Sequence, residues 1–225
     1  MLPLKMIVTD LDGTLLRGDK TVSRRTKKAL RRCREAGVKV VYATGRGENG
    51  AKEVIPDIPF DGGILNNGAF AATGEDIVYS CPVPEDIIRL LADECKKRGL
   101  GFGVSRHREK AGKFWMEGCT AENTAFIKGA LSDDYYLVIA NDGIGMIMHK
   151  DATKSKALAA LAQFWSITQN EIAAFGDDLN DIDMLQYAGT GIAMGNASDE
   201  VKAVAGEVCH TNEEDGLAVW LTSRL

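Results

Sequence analysis

The amino-acid sequence predicts an α/β fold, in which a doubly wound, mainly parallel sheet carries a separate α+β insertion. Toward both ends of the chain, short apolar runs typical of strands buried on both faces alternate with amphipathic helices. Several of these runs end in polar, glycine-containing turns, and short strands dominate the middle of the chain. We therefore expect a Rossmann-like core built from residues 1–80 and 152–225, with an inserted domain over residues 81–151.

The first core segment indicates a βαβ unit followed by short strands. Leu4–Thr9 is a continuous β-rich run, Ser23 can cap a helix that continues to about Ala36, and Val38–Ala43 forms the second strand. Gly37 is placed to end the helix. The remaining strands predicted in this segment are Gly63–Asn66, Phe70–Ala72 and Ile77–Tyr79.

The insertion and the second core segment differ in the order of their predicted helices and strands. In the insertion, Pro84 opens a helix that ends in three basic residues, as the helix dipole favours, and a second helix is predicted near Ala121–Lys128. The strands predicted there are Leu100–Val104, Phe114–Met116, Tyr135–Asn141 and Gly145–His149. The second core segment predicts, in order, Lys154–Trp165 (helix), Ile172–Phe175 (strand), Asp181–Tyr187 (helix), Gly191–Met194 (strand), Asp199–Ala205 (helix), Glu207–His210 (strand) and a final helix from Gly216.

Composition excludes several classes of protein. With 225 residues, of which 45% are hydrophobic and 26% charged, the chain is globular in composition, unlike a disordered or membrane-spanning protein. Its formal net charge of −5 argues against nucleic acid or an anionic membrane as the main partner. Five scattered cysteines and an N-terminus without signal-peptide features predict reduced thiols in the cytoplasm. Oligomeric state, monomer or homodimer, is left open.

Acidic residues follow the first predicted strand. Ligands of open α/β sheets bind at the carboxyl ends of the strands, where Asp10 and Asp12 lie on the same side of the chain. Gly13 permits a tight turn that brings backbone N–H groups close to an anion. Two carboxylates in this position can divide the roles of nucleophile and general acid/base, provided that a cation controls their repulsion.

Polar residues also follow two other strands at this edge. The Thr44 hydroxyl can donate to a phosphate oxygen, and Gly45 lies beside it. The strand Ile172–Phe175 precedes a run of carboxylates and one amide: Asp177, Asp178, Asn180, Asp181 and Asp183. Hard oxygen ligands of this kind suit Mg²⁺, which would neutralise the carboxylates and clamp a phosphate.

These residues resemble the motifs of the haloacid dehalogenase-like (HAD) hydrolase superfamily, and within it the Cof-type phosphatases with a short α/β cap. The resemblance covers nearly the whole chain. Three motifs carry it, at Asp10–Leu15, Ala43–Arg46 and Gly176–Leu185, and weaker signatures follow at Ala193–Ala197 and Asn212–Gly216. The resemblance implies a HAD core with an inserted cap, and an enzyme that hydrolyses phosphoric monoesters.

The resemblance also implies roles for individual residues. Asp10 would attack phosphorus to form an aspartyl-phosphate, while Asp12 would protonate the leaving alcohol and then deprotonate the hydrolytic water. Mg²⁺ would be held by the Asp10 carboxylate, the Asp12 backbone carbonyl and Asp177, with Asp181 as a ligand or as an anchor behind the ligands. Thr44 would bind the transferring phosphoryl group.

A lysine at the start of a helix is the family's third motif. It appears here as Lys154-Ser155-Lys156-Ala157-Leu158, with serine in place of the family's glycine, so that two lysines compete. The register favours Lys154, which precedes Ala157 by the family's three residues. The implied catalytic residues are therefore Asp10, Asp12, Thr44 and Lys154, and the implied phosphate-binding residues are Gly13, Thr44, Gly45, Arg46, Lys154 and Asn180.

The insertion resembles the family's cap, which implies that it closes over the site and contacts the substrate. Its candidates for recognising the leaving group are Arg106, His107, Arg108 and Lys113. The expected substrate is a small phosphorylated metabolite such as phosphoglycolate or a sugar phosphate. Two alternatives stay open: a phosphomutase on the same scaffold, and a non-enzymatic, receiver-like phospho-switch, against which Asp12 and the cap argue.

Overall fold

The structure is a computed structural model that describes residues 4–140 and 143–224. Helices and strands are numbered here along the chain. The strands are β1 (Met6–Thr9), β2 (Lys39–Ala43), β3 (Gly62–Leu65), β4 (Phe70–Thr73), β5 (Asp76–Ser80), β6 (Phe102–His107), β7 (Lys110–Met116), β8 (Tyr135–Ile139), β9 (Gly145–His149), β10 (Ile172–Gly176), β11 (Thr190–Ala193) and β12 (Glu207–Val208). The helices are α1 (Arg24–Glu35), α2 (Glu48–Val54), α3 (Glu85–Arg98), α4 (Ala121–Ala130), α5 (Lys154–Phe164), α6 (Ile182–Tyr187), α7 (Asp199–Val204) and α8 (Gly216–Thr222).

A large, mainly parallel sheet forms the core. Its strand order is β12-β11-β10-β1-β2-β3-β4-β5. The pairs from β12 through β3 are parallel, whereas β4 and β5 add an antiparallel hairpin at one edge. The predicted α/β class with a mainly parallel sheet is confirmed.

Different helices cover the two faces of this sheet, because successive side chains of a strand point to opposite sides. Ile7 of β1 packs in an apolar cluster that includes residues of α1, α2 and α8. Its neighbours Met6 and Val8 pack in a second cluster, together with residues of α5, α6 and α7. Both faces are therefore buried, as the continuous apolar strand runs predict.

Local sequence signals set the ends of two helices near the site. The Ser23 hydroxyl accepts the backbone N–H of Thr26 and caps α1, and Gly37 follows the helix with a φ of 83°. In the same way, the Thr153 hydroxyl accepts the N–H of Lys156 at the start of α5. This cap fixes Lys154 as the first residue of its helix.

A second, antiparallel sheet lies between β5 and α5 in the sequence. Its strand order is β6-β7-β9-β8. One face packs against α3 and α4, through a cluster in which Phe114 and Ile147 meet Leu91 and Ile127. The sheet and its two helices fall within the predicted cap, residues 81–151, whose boundaries stay a prediction. The term cap is used below for this unit.

Several details differ from the sequence-based expectations. Helix α2 was not predicted, because its seven residues include Gly50 and bury only Ala51, so they show no apolar periodicity. The hairpin of β6 and β7 is longer than expected: Arg106 and His107 continue the first strand despite their charged, loop-like sequence. The end of the predicted strand Tyr135–Asn141 lies outside the described residues.

None of the described helices is long and apolar enough to cross a membrane.

Candidate active site

The candidate active site lies where three neighbouring parallel strands end. In the large sheet β1 lies between β10 and β2, so the residues that follow these strands meet at one edge. Asp10 follows β1, Thr44 follows β2 and Asp177 follows β10. The backbone N–H of Asp10 donates to the carbonyl of Phe175 (3.0 Å). The topology thus gathers residues that are far apart in the sequence.

Lys154 forms the centre of this site. Its Nζ donates to Oδ1 of Asp10 (2.6 Å) and to Oδ1 of Asp181 (2.5 Å), and its side chain is 0% exposed. The competing Lys156 pairs with Asp151 instead, and its side chain is 53% exposed. The structure therefore places Lys154, the lysine favoured by the register, beside Asp10.

Asp181 is buried behind the other carboxylates. Its Oδ1 accepts from Lys154, and its Oδ2 accepts the backbone N–H groups of Asp177 (3.0 Å) and Asp178 (3.1 Å). Both oxygens are thus engaged, Oδ1 by Lys154 and Oδ2 by the loop that presents Asp177. Of the two roles left open by the sequence, these contacts favour that of an anchor.

Asp177 faces the loop that follows β1. Oδ1 of Asp177 accepts the Thr14 hydroxyl (2.5 Å). Gly13 adopts a φ of 85°, and a Cβ at this position would overlap the Asp177 carboxylate. Glycine is therefore required here twice, for the left-handed backbone and for the close approach of the carboxylate.

Three carboxyl groups of this site lie close to a single ammonium group, that of Lys154. Asp10, Asp177 and Asp181 each offer an oxygen, and these oxygens lie within 4.8 Å of one another. Burial raises the pKa of Asp10 to about 8, although Lys154 opposes the shift. Burial likewise raises the pKa of Asp177 to about 6, against the hydrogen bond from Thr14.

This charge imbalance fits a metal site. One further cation would allow Asp10 and Asp177 to ionise at neutral pH, and clustered carboxylate oxygens suit a hard divalent ion. The three clustered carboxyl groups therefore fit the divalent metal that the resemblance implies.

Asp12 is held by two cations. Arg46 donates from Nε to Oδ2 and from Nη2 to Oδ1, both at 2.7 Å, and Lys20 Nζ lies 2.8 Å from Oδ1. The hydrogen bonds from Arg46, supported by the one from Lys20, lower the pKa of Asp12 to about 2. Asp12 is thus ionised in this state. Arg46, expected among the phosphate-binding residues, binds the acid/base candidate here.

The remaining phosphate-binding candidates lie on loops beside Asp10. The Thr44 hydroxyl accepts the N–H of Arg46 (3.1 Å), a bond that uses a lone pair and not the hydroxyl hydrogen. Asn180 Nδ2 donates to Oδ1 of Asn67 (3.0 Å), and this links the loops after β10 and β3. Gly45 packs against the same Asn67 amide.

The two weaker tail signatures brace the loop after β1. Asn196 Nδ2 donates to the carbonyl of Gly13 (2.8 Å), and Asn196 Oδ1 accepts the N–H of Asn212. Asn212 Nδ2 in turn donates to the carbonyl of Leu16 (2.8 Å). Sequence reasoning assigned no role in the site to Lys20, Asn196 or Asn212, although both asparagines lie within the tail signatures.

Most of the polar cap candidates lie away from the site. Arg106 pairs with Glu85, and Arg108 donates to the carbonyl of Glu75. His107 is buried, with Nδ1 2.8 Å from Oε2 of Glu48. Lys113 alone among the four reaches a loop of the site: its Nζ donates to the carbonyl of Gly45 (2.9 Å), and burial lowers its pKa.

The chain is similar to known phosphatases over nearly its whole length. A 5-amino-6-(5-phospho-D-ribitylamino)uracil phosphatase of Bacillus subtilis is 30% identical over 232 residues, which cover 96% of this chain and 93% of the relative. A second B. subtilis phosphatase of the same name is 29% identical, with 96% of each chain covered. A phosphoglycolate phosphatase of Methanopyrus kandleri is 26% identical and covers 98% and 97%.

Solved structures share the fold. A haloacid dehalogenase-like hydrolase from Bacteroides thetaiotaomicron superposes with a TM-score of 0.87 at 22% identity, covering 99% of this chain and 100% of that one. The family model described as haloacid dehalogenase-like hydrolase matches residues 7–117 and 117–221. The chain therefore belongs to the haloacid dehalogenase-like hydrolase family and is a phosphatase of that family.

Proposed function

We propose that this protein is a Mg²⁺-dependent phosphatase that hydrolyses a small phosphorylated metabolite through an aspartyl-phosphate on Asp10. The observation that supports it best is the position of Lys154, whose ammonium joins Asp10 and Asp181 beside Asp177. A carboxylate nucleophile and a phosphate dianion repel each other, so attack requires positive charge at this point.

In the first step, an oxygen of Asp10 attacks phosphorus, and the bond between phosphorus and the leaving oxygen breaks. Asp12 gives its proton to this oxygen, so that the product leaves as a neutral alcohol. In the second step, Asp12 takes a proton from water as the water oxygen attacks phosphorus. The bond to Asp10 then breaks, and inorganic phosphate is released.

Arg46 and Lys20 fit both states of Asp12. Their contacts keep Asp12 ionised, which is the form needed to deprotonate water. The negative charge of an incoming phosphate competes for the same two cations. When Arg46 and Lys20 turn from Asp12 to the phosphate, the pKa of Asp12 rises. Asp12 then holds the proton that it donates in the first step.

The other residues hold the phosphoryl group and the metal. Asp10, Asp177 and the backbone carbonyl of Asp12 would hold Mg²⁺, with Asp181 as their anchor. When bound, the ion neutralises carboxylates and phosphoryl oxygens. Thr44 and Lys154 donate to the phosphoryl oxygens, and the loops at Gly13, Gly45 and Asn180 complete the phosphate-binding surface.

Release of phosphate tests this proposal. The purified protein is incubated with phosphorylated sugars, phosphoglycolate and nucleotides, with and without Mg²⁺ and with a chelator. We expect steady release that requires Mg²⁺ and is lost in Asp10→Asn. Isomerisation of a sugar phosphate without release would replace hydrolysis by mutase activity. A stable phosphoenzyme that turns over no substrate would replace it by a phospho-switch.

A further inference from the structure

A cavity of about 740 Å³ opens between the cap sheet and the loop that follows β10. Lys154, Asn67 and Asn180 contribute to its wall, so it is continuous with the candidate active site. The phosphoryl group of a substrate is bound at Asp10 and Lys154. The organic part of a monoester bound there must therefore extend into this cavity.

The cap side of the cavity is apolar. In the register of β8, β9 and β7, Val138 lies opposite Met146, and Met146 lies opposite Trp115. Ile147, the neighbour of Met146 in β9, packs toward α3 and α4. Because successive side chains point to opposite sides, Val138, Met146 and Trp115 share the other face of the sheet. Tyr136 and Met148 form the next row, nearer the core, and line the cavity as well.

Large apolar side chains are exposed on both sides of the cavity. Val138 of the cap is 41% exposed, and Leu179, on the core loop opposite, is 54% exposed. Thioether groups such as those of Met146 and Met148 make favourable contacts with aromatic rings. A ring placed between these two walls would cover apolar surface that water now contacts.

The charges of the lining select against a second anionic group. Among the described lining residues, Lys154 is the single basic residue, and its ammonium already donates hydrogen bonds to Asp10 and Asp181. Three lining residues are acidic: Asp178, Asp183 and Glu200. A carboxylate or second phosphate on the leaving group would meet repulsion and no free cation there.

We propose that the substrate is a phosphate monoester whose leaving alcohol ends in an uncharged aromatic or heteroaromatic ring, bound between Val138, Met146 and Leu179. This inference rests on the proposed phosphatase function and narrows its substrate class. It favours ring-bearing phosphate monoesters over short, doubly anionic substrates such as phosphoglycolate.

Three esters with the same two-carbon spacer test the proposal: phenethyl, hydroxyethyl and carboxyethyl phosphate. We expect kcat/KM for phenethyl phosphate to exceed that for hydroxyethyl phosphate by about tenfold or more, with carboxyethyl phosphate the poorest. Val138→Asp should lower kcat/KM for phenethyl phosphate by about tenfold and change that for hydroxyethyl phosphate less than about twofold.

Leu90→Asp is the matched control. Leu90 lies on α3 and is 40% exposed, nearly the same as Val138, but it is not among the residues that line the cavity. It should leave all three rates unchanged. Circular dichroism melts of both variants separate a loss of folding from a loss of recognition.

The outcomes are distinct. Equal kcat/KM for the three esters, or an equal loss for all of them in Val138→Asp, overturns the ring proposal while phosphatase activity stands. Absence of phosphate release from every ester overturns the proposed function itself. A dimer in light scattering that Val138→Asp dissociates would show that a second copy covers this face, and this result also overturns the proposal.

Discussion

Replacing Lys154 by methionine tests the charge balance of the site most directly. The side chain is fully buried, and its ammonium bonds to both Asp10 and Asp181. Methionine keeps much of the side-chain length but leaves the two carboxylates without their cation. Removing one partner of a buried ion pair costs about 3 to 5 kcal/mol.

That free energy can be read as a melting temperature. In a chain of this size, each kcal/mol shifts Tm by about 2 to 4 °C, so Lys154→Met should lower Tm by about 6 to 20 °C at pH 7. Phosphate release should be lost as well. Lys156→Met is the control: its pair with Asp151 is exposed and screened by solvent, so Tm should change little and activity should persist.

The pH dependence gives a second, independent readout. The pKa of Asp10 is raised from its usual 3.8 to about 8, so between these values the folded chain binds a proton that the unfolded chain has released. Stability therefore falls as pH rises through this interval. Without Lys154 the pKa of Asp10 rises further, and the defect of Lys154→Met should be larger at pH 8 than at pH 5.

Two results would refute this reasoning. One is a Tm for Lys154→Met within about 2 °C of the unmodified chain at pH 8. The other is an equal loss of Tm in Lys156→Met. Either would show that the buried ammonium does not balance the carboxylates of the site.

Four further predictions follow from the same geometry. Asp10→Asn should abolish phosphate release yet keep or raise Tm at pH 7, because burial raises the pKa of Asp10 to about 8 and folding must then protonate it, which asparagine does not require; a clear fall in Tm in a melt would contradict this. Mg²⁺ at a hundred times its Kd should stabilise the chain by about 2.7 kcal/mol, seen as a higher Tm, and the gain should shrink at pH 5, where Asp10 and Asp177 retain protons. Gly13→Ala should displace the Asp177 carboxylate and weaken Mg²⁺ binding in calorimetry by about tenfold or more; unchanged affinity would refute the overlap. Arg46→Met should raise the pKa of Asp12 from about 2 toward 3.8, which carboxyl NMR titration would detect; an unmoved titration would assign the low pKa to other groups.

The parts of the site that sequence reasoning found are those set by topology. Neighbouring parallel strands end at one edge, so polar residues directly after them must meet, and Asp10, Thr44 and Asp177 do. The choice between Lys154 and Lys156 also followed from register. The strand-end residues followed from a general rule of parallel sheets, and the lysine from the register of the motif that the chain resembles.

The parts of the site that sequence reasoning missed depend on contacts between segments that are far apart in the sequence. Asn196 reaches Gly13 across 183 positions, and Asn212 reaches Leu16 across 196, distances over which spacing carries no information. The expectation of Arg46 on the phosphate stays a prediction, but its pair with Asp12 was not foreseen. Local patterns indicate which residues are reactive, but not which partner each one selects.

The central position of β1 also determines when the site can exist during synthesis. One neighbour of this strand, β2, leaves the ribosome soon after it, but the other, β10, follows only after the whole cap has been made. Lys154 pairs with Asp10 across 144 positions, and the Asn212 brace comes later still. A nascent chain therefore carries Asp10 without Lys154 and Asp177, and these carboxyl and ammonium groups meet only after the segment that follows the cap has been made. Non-local pairing of this kind also slows folding.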